Sequence, residues 1–196
     1  MRTVQIETSR RIADDKRAWR SGRAEELLAR TDLFAELDPA VRRRLAAAAG
    51  HHYYDAGERL VVEGEHGESL MLLSRGSVSV SKSGAEVGTS RLALATLDAG
   101  EYFGEMSLLT GAPRSATVTA DGAVEVFVLD RAALSPILES DPAIAEALSR
   151  RLAERMAATA ARIEDRRGEA PRAEASDAQT LLRRIRSFFH LGSRGN

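Results

Sequence analysis

Apolar and polar positions follow two different rhythms along this chain of 196 residues. Between residues 51 and 130 they alternate in short runs separated by turn residues, which is typical of β-strands. On both sides of that region apolar residues recur three or four positions apart, which indicates amphipathic helices. The pattern therefore predicts a central β-structure that is enclosed by helical segments.

The central region contains seven candidate strands, each bounded by glycine or other turn residues. They are predicted at residues 51–54, 59–62, 69–74, 77–81, 92–97, 116–120 and 124–129. Asp121-Gly122, between the last two runs, predicts a two-residue hairpin turn. Short strands at this spacing indicate a barrel or a jelly roll, interrupted by one helical stretch that follows Gly104.

The N-terminal part of the chain reads as helices. Residues 8–30 lack proline and are rich in Arg, Ala, Glu and Leu, and a second helical stretch is predicted to begin near Asp32 and to contain Leu33, Phe34 and Leu37. Asp38-Pro39 has the form of an N-cap followed by proline at the first helical position. This pair predicts a helix over residues 40–49, with Gly50 as its stop.

Helical periodicity returns at Arg131. Asp141-Pro142 repeats the capping pattern and opens a long helix that is predicted to extend to about Arg167. Four apolar residues recur on it at every fourth position and form one stripe: Ile144, Leu148, Leu152 and Met156. Packing of this stripe against the β-structure is one interpretation of the pattern.

The end of the chain has a different composition. Residues 168–180 include Pro171 and alternate Glu, Ala and Arg, which predicts a linker. Residues 181–196 form a basic amphipathic tail whose apolar residues share one helical face. Two interpretations stay open: residues 181–190 contact a membrane surface or a partner's groove, or the tail folds back onto its own chain.

Composition excludes several classes of protein. Hydrophobic residues make up 43% and charged residues 29% of the chain, as in ordinary globular domains, and there is no cysteine for disulfides or thiolate chemistry. No apolar run is long enough to cross a bilayer, and residues 1–30 lack the apolar core of a signal peptide. We expect a cytoplasmic location, or one at the membrane through a partner or a missing channel portion.

Charge is divided unevenly along the chain. Residues 51–130 carry 5 basic and 12 acidic residues, a balance of −7, whereas the flanking regions are each +3. An acidic centre repels phosphates, so this distribution disfavours nucleic acid as a partner. It also implies that an anion could bind there only through a locally placed cation.

One arginine has the properties of such a placed cation. Arg114 is the only Lys or Arg between residues 92 and 130. Its planar fork of donors can bind two phosphate oxygens at once. Pro113 restricts the backbone just before it, and Ser115 adds a hydroxyl. Upstream, Gly104 permits a close backbone approach, and residues 105–109 can form a short helix whose first N–H groups attract an anion.

The run from Phe103 to Val118 resembles the phosphate-binding cassette of cyclic nucleotide-binding domains. It matches the family pattern at every defined position over sixteen residues, and the resemblance extends over residues 31–167. It implies an α+β fold: an eight-stranded jelly-roll β-barrel with N-terminal helices and a long C-terminal lid helix. It also implies that the cyclic nucleotide is a ligand and that no cofactor is needed.

The resemblance assigns roles to individual residues. Arg114 would pair with the cyclic phosphate and Glu105 with the ribose 2′-hydroxyl, while the amides of Gly104, Glu105 and Ser107 would complete the cradle. The full set of predicted ligand-binding residues is Phe103, Gly104, Glu105, Met106, Ser107, Pro113, Arg114, Ser115 and Ala116. The long helix would close over the base, with Leu152, Arg155 and Met156 as candidate lid residues. In this interpretation Ser115 leaves the choice between cAMP and cGMP open, with cAMP favoured.

The predicted organisation follows from these assignments. It comprises an N-terminal helical segment (1–30), a cyclic nucleotide-binding domain (31–167, with the β-roll over 51–130 and lid helices over 131–167), the linker (168–180) and the tail (181–196). The four histidines lack metal-ligand spacing, and Walker, dinucleotide-binding and serine-elbow motifs are absent, so we expect a non-enzyme.

The sensor's effector is less constrained by the sequence. Residues 168–196 are too few and too loosely patterned for a helix-turn-helix, which disfavours the catabolite-activator type of transcriptional regulator unless its DNA-binding domain is missing. Residues 2–6 and the charged helix after them resemble the junction that follows a mechanosensitive-type channel's cytoplasmic region. The alternatives are thus a cytoplasmic channel fragment, a regulator that lacks its DNA-binding domain, or a degenerate fold that has lost its ligand and serves only for interaction, which the intact cassette disfavours. Candidate partners besides the cyclic nucleotide are a second copy of the chain and a channel or effector domain.

Overall fold

A computed structural model describes residues 18–83, 91–167 and 177–191. The strands in these ranges are β1 (Gly50–Tyr54), β2 (Arg59–Val61), β3 (Ser69–Arg75), β4 (Ser77–Lys82), β5 (Leu92–Asp98), β6 (Tyr102–Phe103), β7 (Thr117–Ala120) and β8 (Val124–Asp130). The helices are α1 (18–30), α2 (Pro39–Ala48), α3 (Glu105–Thr110), α4 (Arg131–Ser140), α5 (Pro142–Arg167) and α6 (Ala178–Phe188).

The eight strands form two antiparallel sheets of four, which confirms the predicted jelly roll with flanking helices. One sheet has the order β1-β8-β3-β6 and the other the order β2-β7-β4-β5. Apolar side chains from both sheets form an inner core that includes Val61, Leu73, Phe103 and Val118. The residues between the sheets thus define a closed apolar interior beside the helix α3.

A second core lies between the helices and one face of the first sheet. β3 contributes to both cores, because Met71 and Leu73 belong to the inner one while Leu70 and Leu72 belong to the helical one. Burial on both faces explains why the sequence of β3 is almost continuously apolar instead of alternating.

The predicted hairpin at Asp121-Gly122 is wrong. β7 pairs with β2 and β4, whereas β8 pairs with β1 and β3, so the turn carries the chain from one sheet to the other. Gly122 does not adopt the positive φ that a two-residue type I′ turn needs at this position. The seven predicted strands are otherwise present with small shifts of their ends, and the two-residue strand β6 was missed.

The helix predicted to begin near Asp32 is also absent. Residues 32–36 form turns, because the Asp32 carboxylate accepts the Leu33 N–H (2.8 Å) and the Tyr102 hydroxyl (2.6 Å). The Arg42 guanidinium donates to the carbonyl oxygen of Ala35 (2.9 Å) and to that of Leu37. These contacts accompany a few backbone turn bonds, such as Ala35 N–H to the Thr31 carbonyl (2.8 Å), and the segment does not continue as a regular helix.

The two Asp-Pro capping predictions agree with the structure. Asp38 accepts the Ala40 N–H at the start of α2, and Asp141 accepts the Ala143 N–H at the start of α5. Gly50 does not stop a helix through a left-handed turn; it is the first residue of β1. Residues 8–17 of the first predicted helix lie outside the described residues.

The C-terminal tail folds back onto its own chain. Leu181 and Ile185 of α6 are fully buried in the same core as Leu148 and Leu152 of α5. The apolar face considered for a membrane or a partner is therefore covered by the chain's own helices. Residues 178–180 of the predicted linker are helical, and residues 168–176 lie outside the described part. No helix in the described ranges is both long and apolar enough to span a bilayer.

Candidate functional site

The short helix α3 is bounded by two glycines in the left-handed conformation. Gly104 has φ 85° and is the N-cap, and Gly111 has φ 68° and is the C-cap. A Cβ atom on Gly104 would lie 2.7 Å from the carbonyl oxygen of Ser69. Glycine is therefore needed at position 104 for both the torsion and the close approach. No side chain caps the first N–H groups of α3, which leaves them available to an anion.

Arg114 is held in a fixed position beside this helix end. Arg114 is buried, with only 7% of its surface exposed. Nη1 donates to the carbonyl oxygens of Ser69 (2.7 Å) and Gly104 (3.2 Å), and Nη2 donates to Oγ of Ser69 (2.9 Å). The turn after β2 also holds the backbone of Arg114. The Arg114 N–H donates to the Glu65 carbonyl oxygen (2.9 Å), and the Arg114 carbonyl oxygen accepts the Gly64 N–H (2.8 Å). The guanidinium is thus held in place by the protein's own groups.

Two effects shift the pKa of Arg114 in opposite directions. Burial lowers the pKa of the Arg114 guanidinium, and the Glu105 carboxylate opposes that shift. A guanidinium remains protonated despite such a shift, because its ordinary pKa is far above neutrality. The site therefore presents a partly desolvated positive charge to the cavity.

Glu105 is engaged by a cation from the long helix. The Arg155 Nε atom lies 3.7 Å from Oε1 of Glu105, and Arg155 Nη2 donates to the Tyr102 carbonyl oxygen (2.7 Å). The Arg155 guanidinium carbon also lies 3.6 Å from the centroid of the Tyr102 ring, a cation–π contact. Burial lowers the pKa of Arg155, but Glu105 and Tyr102 more than offset it, so its net pKa shift is upward.

Tyr102 connects this cluster to the N-terminal turn. Its hydroxyl donates to Oδ1 of Asp32 at 2.6 Å. Burial is the largest cause that raises the pKa of Tyr102, Arg155 works against it, and Asp32 adds to it. Glu105, Arg155, Tyr102 and Asp32 thus form one polar chain that joins α3, α5, β6 and the turn before α2.

A cavity of about 430 Å³ opens beside these groups, within the usual size range of small-ligand sites. Arg114 and Glu105 both line it, so the structure brings the two predicted ligand groups together. Its apolar wall comes from both sheets. The lining residues are Asp32, Val61, Val80, Leu94, Ala95, Leu97, Glu101, Phe103, Gly104, Glu105, Met106, Ser107, Arg114, Ser115, Ala116, Val118, Arg155 and Ala158.

Pro113 is the one predicted binding residue of the cassette that is not on the cavity wall. It is exposed, directly before the buried Arg114. Its position agrees with a role in the backbone conformation rather than in contact with a ligand. The eight other cassette residues predicted for the site line the cavity.

The candidate lid residues separate into two groups. Leu152 is fully buried in the helical core and Met156 packs against that core, and neither lines the cavity. Among the α5 residues whose side chains the structure describes, 142–158, Arg155 and Ala158 line it. The apolar stripe of α5 therefore serves helix packing, and the side of α5 next to it contributes Arg155 to the site. The pairing with Glu105 also shows that Arg155 is not a solvated side chain.

Several residues of the site were not predicted from the sequence. Ser69 fixes Arg114, and Gly67 packs so close that a Cβ there would lie 2.4 Å from Nε of Arg114. Asp32, Leu94 and Leu97 reach the cavity from distant parts of the chain. Alternation alone could not have found both Leu94 and Leu97, because the pairing register of β5 shifts at Leu94, and no local signal marks Ser69 or Asp32. No cluster of three His, Asp or Glu residues in the described part could hold a metal ion.

Comparison with known proteins finds similarity in the central region. Residues 51–141 match the family described as cyclic nucleotide-binding domain. A cAMP-dependent protein kinase regulatory subunit of Debaryomyces hansenii is 36% identical over 132 residues, which are 67% of this chain and 28% of that protein. A cyclic nucleotide-gated potassium channel of Mesorhizobium japonicum is 35% identical over 136 residues, 69% of this chain and 36% of the channel.

A solved structure shares the fold. The crystal structure of a cyclic nucleotide-binding domain from Methylobacillus flagellatus superposes with a TM-score of 0.62 at 27% identity, and covers 74% of this chain and 81% of that one. By contrast, this chain spans only about a third of the length of the two curated relatives.

Proposed function

We propose that this chain binds a cyclic nucleotide as a regulatory domain, with cAMP preferred over cGMP, and the match of residues 51–141 to the cyclic nucleotide-binding domain family supports the proposal. The observation that carries the proposal is the cavity on whose wall a buried guanidinium and a carboxylate lie together, at Arg114 and Glu105. A cyclic nucleotide needs both: a cation for its phosphate and an acceptor for its ribose hydroxyl.

The phosphate would lie between Arg114 and the start of α3. The guanidinium supplies charge-assisted hydrogen bonds, and the uncapped N–H groups after Gly104 supply neutral ones. The acidic composition of the barrel makes this local placement necessary, since the surrounding field repels anions.

The base would occupy the apolar part of the cavity. Val80, Leu97 and Val118 offer a wall suited to a purine ring, and Ser115 offers a hydroxyl near the cassette. The resemblance of the cassette to the family pattern favours cAMP without excluding cGMP. The cAMP-dependent name of the D. hansenii relative supports the same preference.

Occupancy would be transmitted through α5. In the structure Arg155 binds Glu105, the group proposed for the ribose. A 2′-hydroxyl at Glu105 adds a ligand contact beside this pair, so binding would favour the α5 position in which Arg155 stays at the cavity. Regulation then consists of a shift between α5 positions that differ in their contacts with the site, and it requires no catalysis.

Isothermal titration calorimetry with cAMP and with cGMP tests the proposal. We expect saturable one-site binding to the wild-type chain, tighter for cAMP. Arg114→Ala should weaken binding by more than about tenfold, because a charge-assisted bidentate contact is lost. Arg75→Ala is a matched control: Arg75 is an exposed arginine of the same barrel that does not line the cavity. Equal affinities of wild type and Arg114→Ala would refute the site.

For the effector we propose that this chain is the cytoplasmic portion of a channel rather than of a transcription factor. The similarity to the channel of M. japonicum supports this choice. The test lies in the genome: the reading frame upstream of Met1 should encode two or more apolar spans in frame. A stop codon directly before Met1 would remove the channel alternative.

A further inference from the structure

The helix α6 is seated against the C-terminal end of α3, the same short helix whose N-terminal end forms the proposed phosphate cradle. A Cβ atom on Gly111 would lie 2.6 Å from ring atoms of Phe188, so this aromatic side chain packs directly on the glycine backbone. Arg184 of α6 donates to Oγ1 of Thr110 at 3.3 Å. One six-residue helix therefore contacts the cavity at one end and α6 at the other.

A second connection runs through Arg131. Its guanidinium carbon lies 4.0 Å from the centroid of the Phe188 ring and 5.5 Å from that of Phe189, and its Nη2 donates to the Phe188 carbonyl. Its Nη1 pairs with Oε1 of Glu68 at 3.1 Å. Glu68 precedes Ser69, the residue that holds the Arg114 guanidinium. The strand end that positions Arg114 is thus joined to α6 as well.

The third connection is to α5. Leu181 and Ile185 of α6 are fully buried in the core that contains Leu148 and Leu152, and Arg186 pairs with Glu146 at 3.0 Å. α6 therefore contacts α3, which bears Glu105, and α5, which bears Arg155. These contacts coexist with the arrangement in which Arg114, Glu105 and Arg155 all line the cavity.

We propose that α6 is a clamp that holds α3 and α5 in the nucleotide-competent arrangement, so that its seating and nucleotide binding reinforce each other. The inference rests on the proposed function and goes beyond it, because it assigns a regulatory role to a helix outside the binding site. Contacts that favour the competent arrangement raise the affinity for the ligand, and by reciprocity the ligand must favour the seated α6.

The first test needs no variant. Hydrogen–deuterium exchange is measured on the wild-type chain with and without saturating cAMP, for the amides of residues 178–188. Cooperative linkage of ordinary strength predicts that cAMP slows exchange in α6 by about fivefold or more. Unchanged or faster exchange in α6 at saturation would overturn the proposal.

The second test removes the aromatic contact. Phe188→Ala deletes the ring that lies between Gly111 and Arg131, and it should weaken cAMP binding in calorimetry by about fivefold or more. Arg183→Ala is the control, because Arg183 is exposed on the same helix and its hydrogen bond in the described part of the chain is local, to Oγ1 of Thr180. We expect the control to bind like wild type.

The outcomes separate the two proposals. Wild-type binding with equal affinity in Phe188→Ala rejects the clamp and leaves the proposed function intact. Absence of any binding to the wild type rejects the proposed function, and the clamp with it. If Phe188→Ala also unfolds, as judged by circular dichroism, the exchange experiment on the wild-type chain decides.

Discussion

At the scale of single residues, the site is defined by how Arg114 is held. Three hydrogen bonds to Ser69 and Gly104 fix its guanidinium on the cavity wall. A long side chain normally loses rotamer freedom when it binds a ligand, and in this protein much of that cost falls on folding instead. The arrangement favours tight recognition by a fixed cation in a barrel of net negative charge.

We predict that glycine is needed at position 67 to leave room for the Arg114 guanidinium. A methyl group at position 67 would lie 2.4–2.6 Å from three atoms of the Arg114 guanidinium group, so Gly67→Ala must displace that group. Because the backbone there is unstrained for alanine and the displaced atoms end a flexible side chain, the fold should remain. We expect the affinity for cAMP to fall by about tenfold, comparable to the loss of a charge-assisted contact.

The control for this change is Gly122→Ala. It introduces the same methyl group where no atom lies within 4 Å, again without a positive φ. Calorimetry on both variants, with melting temperatures from circular dichroism, separates a site effect from a folding effect. Wild-type affinity in Gly67→Ala would mean that the Arg114 position is unimportant for binding.

At the scale of elements, local signals explain most of the fold. Period-two alternation predicted seven strands, and the two Asp-Pro pairs predicted the starts of α2 and α5, because each signal acts within a few residues. The cassette could be predicted as a unit for the same reason: its glycine, its short helix and its arginine are close in sequence.

The errors occur where distant residues decide the local structure. Asp32 lies in a turn instead of the predicted helix because its carboxylate accepts a hydrogen bond from the hydroxyl of Tyr102, seventy positions away. Asp121-Gly122 connects two sheets because the strands on each side have other partners. Arg155 reaches Glu105 through the packing of α5, and helical periodicity only indicated which side of that helix is buried.

The start of α6 depends on one cap that is predicted to respond to pH. Oδ1 of Asp177 accepts the Thr180 N–H at 2.6 Å, and this bond lowers the pKa of the Asp177 carboxyl. A carboxyl whose pKa is lowered by folding stabilises the folded state at pH values above its ordinary pKa. That contribution is lost as the pH falls through the lower pKa of the folded state. Asp177→Ala should therefore speed amide exchange in α6 roughly fivefold at neutral pH.

Asp177→Asn is the matched control, since an asparagine also caps helices but does not titrate. The difference in melting temperature between wild type and Asp177→Ala should begin to shrink below about pH 4, the ordinary pKa of an aspartate, and should be lost once the pH is below the lowered pKa of the folded state. The difference between Asp177→Asn and Asp177→Ala should persist through the same range. A wild-type advantage that is independent of pH would contradict the assignment of this cap.

At the scale of the whole molecule, the net charge of the central region is negative, whereas the guanidinium at the proposed phosphate site is positive. The region 51–130 has a balance of −7, yet the proposed ligand is an anion. Dissolved salt screens long-range repulsion between exposed charges more than the contact with a buried guanidinium. Increasing NaCl from about 20 to about 200 mM should therefore raise the association rate of a cyclic nucleotide, on the order of twofold.

Stopped-flow mixing with a fluorescent cyclic nucleotide measures this rate. A neutral osmolyte of equal osmolality provides the control and should leave the rate unchanged. A rate that falls with salt would indicate attraction by a basic surface, as in nucleic-acid binding, and would contradict the expectation that the acidic barrel repels its ligand at long range.

The contact between Gly111 and Phe188 has a consequence for the ancestry of this chain. Any side chain at position 111 would occupy the volume of the aromatic ring, so the two positions cannot diverge independently. Among homologous genomes, lineages that carry the terminal aromatic helix should have kept glycine after the cassette helix. Lineages that have lost this extension should be free to replace the glycine with asparagine, which also tolerates a left-handed backbone.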